Sequence, residues 1–254
     1  MKRRYVIASF VAALLILRMV LILSFYPYQK FESSIEGPAS GFERYVQSLY
    51  ESIELKKAGL DFDCFRYAIV GYFNLKRQGA IAKEGIISII DYRKPCNDKR
   101  FYVINLREQT LLYHALVAHG RHSGDIYARH FSNTPRSLQS SLGFFVTGNT
   151  YDGEYGYSLY LYGMDEGFND NARSRGIVVH GAYYVRDSFL AQYGKIGKSQ
   201  GCPALPAGLH IDIIDTIMGG TCLFQFYNDS NYLKGSSLLD VGNAASQLKK
   251  EYSP

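Results

Sequence analysis

The sequence lacks a cluster of basic residues outside its first 28 positions, and this absence excludes one large class of function. The chain of 254 residues carries 28 Lys and Arg against 23 Asp and Glu, a formal net charge of +5. Four of these basic residues lie in the first 28 positions, which contain no acid, so the remainder has 24 basic and 23 acidic residues. A nearly neutral body without a basic stripe argues against nucleic-acid binding.

A strong metal signature is absent as well. His119, Asp125 and His130 lie close in sequence, but their spacing matches no strong zinc pattern, and no His-x-x-x-His lies on a predicted helix. The sequence therefore predicts no metal and no other cofactor. Internal repeats and low-complexity tracts are also absent, and a chain of this length then accommodates one domain, or one domain with a small appendage.

The N-terminal residues predict export. Residues 2–4 are basic, residues 5–17 form an apolar run of signal-peptide length, and Arg18 interrupts the apolar residues that continue to Tyr28. A charge in mid-span favours a signal peptide over a stable anchor, but no clean Ala-x-Ala cleavage site follows. Residues 1–28 are thus predicted as a signal peptide, or as a membrane anchor through residues 5–28, and a polar linker is predicted over 29–39.

The hydrophobic pattern predicts a helical lead-in, residues 40–80, before a strand-rich body. Ser40 and Glu43 form a capping box, and apolar residues then recur every three or four positions. A second helix is predicted over 63–77, with Gly79 beyond its end. Short β-branched or aromatic runs, typical of strands, follow at 86–92, 101–106, 111–118, 142–147, 158–161, 177–180 and 223–227. The predicted fold is mainly β, a mostly antiparallel sandwich over 81–232, and a tail is predicted over 233–254.

A thiol and an imidazole, each beside glycine, stand in two short segments of this body. His180 precedes Gly181 at the end of an apolar strand, and Cys202 follows Gly201 in the segment Ser199–Ala204. Cysteine acyl transfer requires a thiolate, a base that makes it, and open backbone N–H groups for an oxyanion. The pair therefore indicates a cysteine enzyme, with the Gly201 and Cys202 N–H groups as oxyanion donors. A structural core cysteine is the alternative, but one between glycine and proline is typical of an exposed turn.

These segments resemble the catalytic motif of the murein L,D-transpeptidases, in which a His is followed, after a gap, by Ser/Thr-His-Gly-Cys. The resemblance implies that Cys202 is the nucleophile, His180 the base and Ser199 the motif hydroxyl, with the Gly181 carbonyl as the group that orients the base. Gln200 stands where the motif has its second His, which indicates a divergent Gly-Cys-Pro-Ala branch. Similar stretches occur at 117–121, 140–149 and 167–173, so the resemblance covers roughly residues 60 to 230.

The resemblance implies an L,D-transpeptidase-like β fold and an enzyme that acts on peptidoglycan stem peptides in the periplasm or cell envelope, with or without an inner-membrane anchor. The residues predicted to bind substrate are His119, Gly120, Tyr157, Arg173 and Gln200. Two alternatives stay open at this stage. An L,D-carboxypeptidase would use water as the acceptor, and a wall-binding domain would keep the scaffold with little activity.

The other three cysteines are predicted to be small buried residues. Cys222 lies in a strand-like run, whereas Cys64 and Cys96 could also pair in the oxidising space outside the cytoplasm. Cys202 must stay reduced if it is a nucleophile.

Overall fold

The computed structural model describes residues 38–252. The predicted export segment, residues 1–28, and most of the predicted linker lie outside the described residues. Within 38–252, no helix has both the length and the apolar character needed to cross a membrane.

Six α-helices and eight β-strands make up the described part. The helices are α1 (Pro38–Ser52), α2 (Phe62–Arg77), α3 (Asp187–Tyr193), α4 (His210–Ile217), α5 (Ser230–Gly235) and α6 (Val241–Tyr252). The strands are β1 (Ile86–Asp91), β2 (Phe101–Asn105), β3 (Thr110–Ala115), β4 (Gly143–Gly153), β5 (Gly156–Gly163), β6 (Val178–Ala182), β7 (Ala204–Pro206) and β8 (Cys222–Phe226). Every predicted strand is present, and β7 is additional.

The strands form one continuous sheet in the order β3-β2-β1-β8-β4-β5-β6-β7. Most neighbours are antiparallel, but β1 pairs with β8, and β6 with β7, in parallel. The segment after β3 returns to the opposite edge, where Ala118 forms a bridge with Ala204 of β7. The sheet therefore curls until its two edges approach each other, which gives the predicted mainly β fold in a nearly closed form.

The α2 helix lies against the sheet and is the second helix of the predicted lead-in. Asp61 caps it, because its carboxylate accepts from the N–H groups of Asp63 (3.0 Å) and Cys64 (3.3 Å). The predicted inward face is buried, and Gly79 takes a left-handed φ of +70° just past the end. The α1 helix differs from its prediction, because it begins at Pro38, before the expected cap at Ser40.

The C-terminal residues form a helix where the sequence predicts a tail. α6 packs across α1 and α2, with Ala244, Ala245 and Leu248 buried beneath it. The Asn74 amide of α2 donates to the carbonyls of Leu238 (2.8 Å) and Asp240 (2.9 Å), which ties the preceding turn to the same layer. The prediction of a tail is wrong because α6 has few apolar residues, and the helices against which they pack, α1 and α2, are distant in sequence.

All four cysteines lie in the described part, and all are unpaired and buried. Cys64 belongs to the main apolar core under α2, whereas Cys96 belongs to a second, smaller cluster with Ala118, Val185 and Ala204. The pairing left open for Cys64 and Cys96 is therefore absent, because the two thiols are buried in different clusters.

Helix-to-sheet contact is closest at Gly71 of α2. A Cβ at this position would lie 1.9 Å from Cζ of Phe144, and the Phe144 ring itself stacks on Phe224 with ring centroids 4.1 Å apart. Alanine favours an exposed helix by about 1 kcal/mol over glycine, so the glycine is kept here because only it lets the helix approach the ring.

We expect Gly71→Ala to lower the free energy of unfolding by about 1–3 kcal/mol, because overpacking in a closed core outweighs the gain in helix propensity. Denaturant unfolding measures this. Gly208→Ala, where an added Cβ meets nothing within 4 Å, is the matched control and should change little. A Gly71→Ala variant as stable as wild type would contradict the contact.

Candidate active site

The turn from Ser199 to Cys202 is closed by the Ser199 side chain. Its hydroxyl donates a hydrogen bond to the Cys202 carbonyl (2.6 Å) and accepts one from the Gly201 N–H (3.1 Å). Gly201 has a φ of +124°, and a Cβ there would lie 2.7 Å from the Gln139 carbonyl oxygen. Glycine is therefore required at position 201 both for its backbone conformation and for space.

Residues 118–121 hold this turn in place from outside. The Ala118 N–H donates to the Ala204 carbonyl (2.9 Å), and the Ser199 N–H donates to the His119 carbonyl (3.0 Å). Backbone on both sides of the thiol is thus paired to the segment that follows β3. The loop that carries Cys202 is positioned by backbone hydrogen bonds, which depend little on the side chains of its neighbours.

Ser140 adds a side-chain bridge between the two segments. Its hydroxyl accepts from the Gly120 N–H (3.1 Å) and donates to the Gly201 carbonyl (3.1 Å). Ser140 is fully buried, so both hydrogen bonds are made away from water. Gly120, predicted to bind substrate, has its N–H occupied by this bridge.

The Cys202 side chain is buried, with 7% of its surface exposed. Its sulfur lies 3.6 Å from the Gly176 carbonyl oxygen, to which the S–H donates. Burial raises the pKa of the Cys202 thiol above its ordinary value, while the Val178 backbone amide, the Arg175 charge and the residue's own N–H oppose that rise. At neutral pH the resting group is therefore a thiol.

His180 lies on β6, and the carbonyl of the next residue, Gly181, orients its ring. The Nδ1 atom lies 3.0 Å from the Gly181 carbonyl oxygen, the group that the family resemblance implies as the orienter. When Nδ1 carries the proton and donates it there, Nε2 has the lone pair that a base requires. Burial lowers the pKa of His180, the Gly181 carbonyl opposes this, and the charge of His210 adds to the lowering. The imidazole is therefore neutral at neutral pH.

Cys202 and His180 come from adjacent chain segments. His180 of β6 pairs in parallel register with Ala204, two residues after Cys202. Among residues 38–252 no hydrogen bond joins the Cys202 sulfur to the His180 ring, because the S–H points to Gly176 instead. Cys202 therefore lies two residues before β7, the strand that pairs with the strand of His180, and both side chains are neutral.

Tyr155, at the tip of the β4–β5 hairpin, covers the His180 ring. The two rings stack with centroids 4.5 Å apart and an interplanar angle of 27°. The Tyr155 hydroxyl lies 3.5 Å from Nε2 of Gln200, which is exposed beside the turn. The sequence predicts that Tyr157, on the same hairpin, binds substrate, but its hydroxyl donates to Asp215 of α4 (2.6 Å).

His119 is fully buried, and both of its ring nitrogens have partners. Nδ1 accepts from Arg100 (2.7 Å), and Nε2 lies 3.3 Å from the Gly124 carbonyl oxygen. Burial, with a further contribution from the Arg100 charge, lowers the pKa of His119 to about 4. The ring is thus part of the scaffold under the turn. In the described range, no group of three or more His, Cys, Asp or Glu side chains could hold a metal ion.

Arg173, also predicted to bind substrate, lies at the surface over the Tyr160 ring, with its guanidinium carbon 3.9 Å from the ring centroid. The predicted roles of Cys202, His180 and Ser199, and of the residues that surround them, stay predictions. The structure places Ser199, Gly201 and Cys202 in one turn beside the strand of His180, whereas Tyr157 contacts Asp215 and Arg173 lies over Tyr160.

Two residues near the site have no place in the predicted set. The His210 ring lies against Gly181, where a Cβ would approach it to 2.6 Å. Arg175 lies one residue before Gly176 and acts on the thiol through its charge. The contact of His210 with Gly181 cannot be predicted from sequence spacing, because only the folded chain brings α4 next to β6. Arg175 is recognisable in the sequence as a basic residue just before the strand of His180.

Comparison with known proteins assigns the fold and site to a class. Residues 56–226 match the L,D-transpeptidase catalytic domain, so the chain belongs to that family, and the resemblance seen in the sequence is confirmed. The family accounts for the L,D-transpeptidase-like fold. No curated protein matches the chain.

Solved structures of the same class are distant relatives. The chain is 12% identical to an L,D-transpeptidase from Mycobacterium smegmatis, with 56% of this chain and 59% of that one covered and a TM-score of 0.35. It is 13% identical to one from Mycobacterium tuberculosis H37Rv, with coverages of 56% and 58% and a TM-score of 0.34. It is 12% identical to the helical cell shape determining protein Pgp2 from Campylobacter jejuni, with 72% of this chain and 64% of that one covered and a TM-score of 0.40. The chain thus spans less than two thirds of each relative.

The buried His119 predicts acid sensitivity. In the unfolded chain this group takes up a proton near its ordinary pKa of 6.5, but in the folded protein it does so only near 4. Stability is therefore lost as pH falls through this window, by about 3 kcal/mol from His119 alone. Denaturant unfolding between pH 7 and pH 4 measures it.

The variant His119→Gln keeps an acceptor for Arg100 but cannot titrate, so its loss of stability over the same window should be smaller. The exposed His130→Gln is the control and should follow wild type. Parallel pH curves for wild type and His119→Gln would show that His119 does not resist protonation.

Removal of the Ser199 hydroxyl should loosen the turn. Ser199→Ala leaves the Gly201 N–H and the Cys202 carbonyl without their partner, so we expect a loss of about 1–3 kcal/mol in the free energy of unfolding. Hydrogen exchange of the Gly201 amide should become faster by at least about fivefold, which corresponds to one hydrogen bond of about 1 kcal/mol. Ser199→Thr retains the hydroxyl and should exchange like wild type. Unchanged exchange in Ser199→Ala would refute the bridge.

Proposed function

We propose that this chain is an exported cysteine L,D-transpeptidase that acts on peptidoglycan stem peptides. The observation that carries the proposal is the arrangement within the family domain: the His180 ring lies 3.0 Å from the Gly181 carbonyl oxygen, and the Cys202 turn leads directly into β7, which pairs with the strand of His180. Export is supported by the basic and apolar start of the sequence.

In the proposed reaction His180 takes the proton of Cys202 at Nε2. The thiolate attacks the carbonyl carbon of the L-centre of diaminopimelate, and the terminal D-alanine leaves as an amine that receives the proton from the imidazolium. A thioester remains on Cys202. The amine of a neighbouring stem then attacks this thioester and gives a proton to His180. The C–S bond breaks, and His180 passes that proton to the leaving sulfur, which restores the thiol and the neutral imidazole.

The resting geometry requires the thiol to turn before this happens. The S–H donates to the Gly176 carbonyl over 3.6 Å, and a thiol is a weak donor, so rotation toward His180 costs little. The Cys202 N–H belongs to the proposed nucleophile itself and suits an oxyanion donor. The Gly201 N–H would first have to leave the Ser199 hydroxyl, which accepts it at 3.1 Å.

Tyr155 and Gln200 form the exposed rim above this centre. The tyrosine ring covers His180, and the Gln200 amide lies beside its hydroxyl. We assign these two side chains to contact with the stem peptide, since a ring above the base excludes water and an exposed amide can bind a peptide carbonyl. Arg173, one strand away over Tyr160, is available for a substrate carboxylate.

We expect Cys202→Ser to abolish D-alanine release from tetrapeptide muropeptides, because an unactivated hydroxyl is a far weaker nucleophile than a thiolate. Incubation of wild type with a carbapenem should add one drug mass to the intact protein, and Cys202→Ser should take up none. Cys96→Ala, which removes a thiol from the second apolar cluster, is the control for a lost cysteine and should still release D-alanine.

The products separate the open alternatives. Cross-linked dimers identify a stem amine as the acceptor, and D-alanine with tripeptide but no dimer identifies water and hence a carboxypeptidase. A folded wild-type protein that binds peptidoglycan but neither releases D-alanine nor reacts with the carbapenem would make the chain a wall-binding domain. Full activity in Cys202→Ser would refute the mechanism.

A further inference from the structure

Arg175 is a half-buried cation whose hydrogen bonds all go to neutral groups. Its two terminal nitrogens donate to backbone carbonyls and to serine hydroxyls of the loop 132–141. The partners are the Ser132 carbonyl (2.7 Å), the Gln139 carbonyl (2.7 Å), the Ser137 hydroxyl (3.1 Å) and the Ser141 hydroxyl. The guanidinium is therefore fixed in position on a loop without having its charge neutralised.

Such an arrangement is costly, because a charge removed from water is ordinarily compensated by an opposite one. Two other partly buried arginines follow that rule: Arg66 pairs with Glu43, and Arg93 pairs with Asp91 at 2.8 Å. The fully buried Arg100 resembles Arg175 instead, because it donates only to backbone carbonyls and to the neutral His119 ring. In the described part of the chain no carboxylate lies within ion-pair distance of Arg175. Burial lowers the pKa of Arg175, and the one group whose charge opposes this is Cys202.

The backbone around Arg175 touches the nucleophile turn on two sides. The carbonyl of the next residue, Gly176, lies 3.6 Å from the Cys202 sulfur. The Gln139 carbonyl, which accepts from Arg175, also packs against Gly201, because a Cβ added to that glycine would lie only 2.7 Å from its oxygen. The guanidinium is thus held beside the turn by the same carbonyl against which the turn packs.

Other titratable groups that face Cys202 are neutral. Tyr92 follows β1, Tyr151 lies on β4 and Tyr184 follows β6, and burial raises the pKa of each, to about 12 for Tyr92 and Tyr184. His180 on β6 is neutral as well, because burial lowers its pKa. Of the charged side chains in residues 38–252, Arg175 is the one that acts on the sulfur.

We propose that Arg175 is the cation that stabilises the Cys202 thiolate, in the place that a protonated histidine has in an ion-paired cysteine–histidine couple. Arg175 is a positioning residue: it gives up no proton and forms no bond to substrate. When the proton passes from sulfur to His180, the charge of the nearby guanidinium stabilises the new negative charge, and formation of the thioester removes that charge again. The inference rests on Cys202 as the nucleophile of the proposed function.

The experiment measures alkylation of Cys202 by iodoacetamide as a function of pH, followed by peptide mass so that the other cysteines do not contribute. Arg175→Gln should raise the thiol pKa by about one unit, which slows alkylation at pH 7 about tenfold. Arg175→Lys keeps the charge and should stay within about threefold of wild type. Ser137→Ala removes one hydrogen bond to the guanidinium but no charge, and should leave the pH profile unchanged.

A second pair of variants serves if Arg175→Gln does not fold. Ser141→Asp places a carboxylate where the Ser141 hydroxyl now accepts from the guanidinium, so the charge of Arg175 is neutralised while the residue stays. Ser141→Asn is its uncharged control. We expect Ser141→Asp to raise the thiol pKa as Arg175→Gln does, and Ser141→Asn to leave it in place.

Two results would overturn the inference. One is a wild-type pH profile in folded Arg175→Gln or in folded Ser141→Asp. The other is an equal rise of the thiol pKa in Arg175→Lys and in Arg175→Gln, which would show that the hydrogen bonds of the guanidinium matter and its charge does not. Alkylation needs no peptidoglycan, so failure of wild type to release D-alanine would count against the proposed function and leave this measurement valid.

Discussion

Backbone pairing between residues 118–121 and the turn at 199–204 holds the thiol in place, and much of the site depends on it. The pairing brings the two edges of the sheet together, since Ala118 follows β3 at one edge and Ala204 belongs to β7 at the other. The Ser199 hydroxyl then closes the turn from within. The backbone of the turn that carries Cys202 is thus held by closure of the sheet, so rigidity of the fold becomes rigidity of this turn.

The same closure explains why His119 and Arg100 are buried together beneath the turn. His119 supplies a backbone carbonyl to Ser199, which places its ring inside the protein, where Arg100 donates to it at 2.7 Å. A neutral histidine that accepts from a guanidinium satisfies both groups without a carboxylate. The result is a support for the active-site turn that holds at neutral pH and weakens in acid.

Much of the fold can be predicted from the sequence, and the reasons are local. The inward face of α2 and the strands from 86 to 227 follow from apolar spacing and from the Gly, Asn, Asp and Pro that separate them. β7 was missed because it has only three residues and ends in Pro206. α6 was missed because Ala244 and Ala245 do not stand out as a core until α1 and α2 pack against them.

Some residues of the candidate site can likewise be recognised from the sequence, whereas others become apparent only in the fold. Cys202, His180, Ser199 and the Gly181 carbonyl can be proposed as one site from the sequence, because a motif joins them over a short stretch, and their roles stay predictions. Tyr155 could not be distinguished from Tyr157, since both lie in one Gly- and Tyr-rich hairpin and only the fold shows which ring reaches His180. The contact of His210 with Gly181 depends on where α4 lies.

The proposed roles divide proton transfer and charge stabilisation between two side chains. The motif that the sequence resembles has a second histidine directly before Gly-Cys, whereas here Gln200 takes that place and is exposed. With His180 as the proposed base and Arg175 as the proposed fixed charge, the two tasks would fall to different side chains. Because a guanidinium keeps its proton at any pH that the protein tolerates, the field at the sulfur would not depend on pH. Separation of the two tasks lets His180 stay neutral and ready to accept a proton while the thiolate it creates already faces a positive charge.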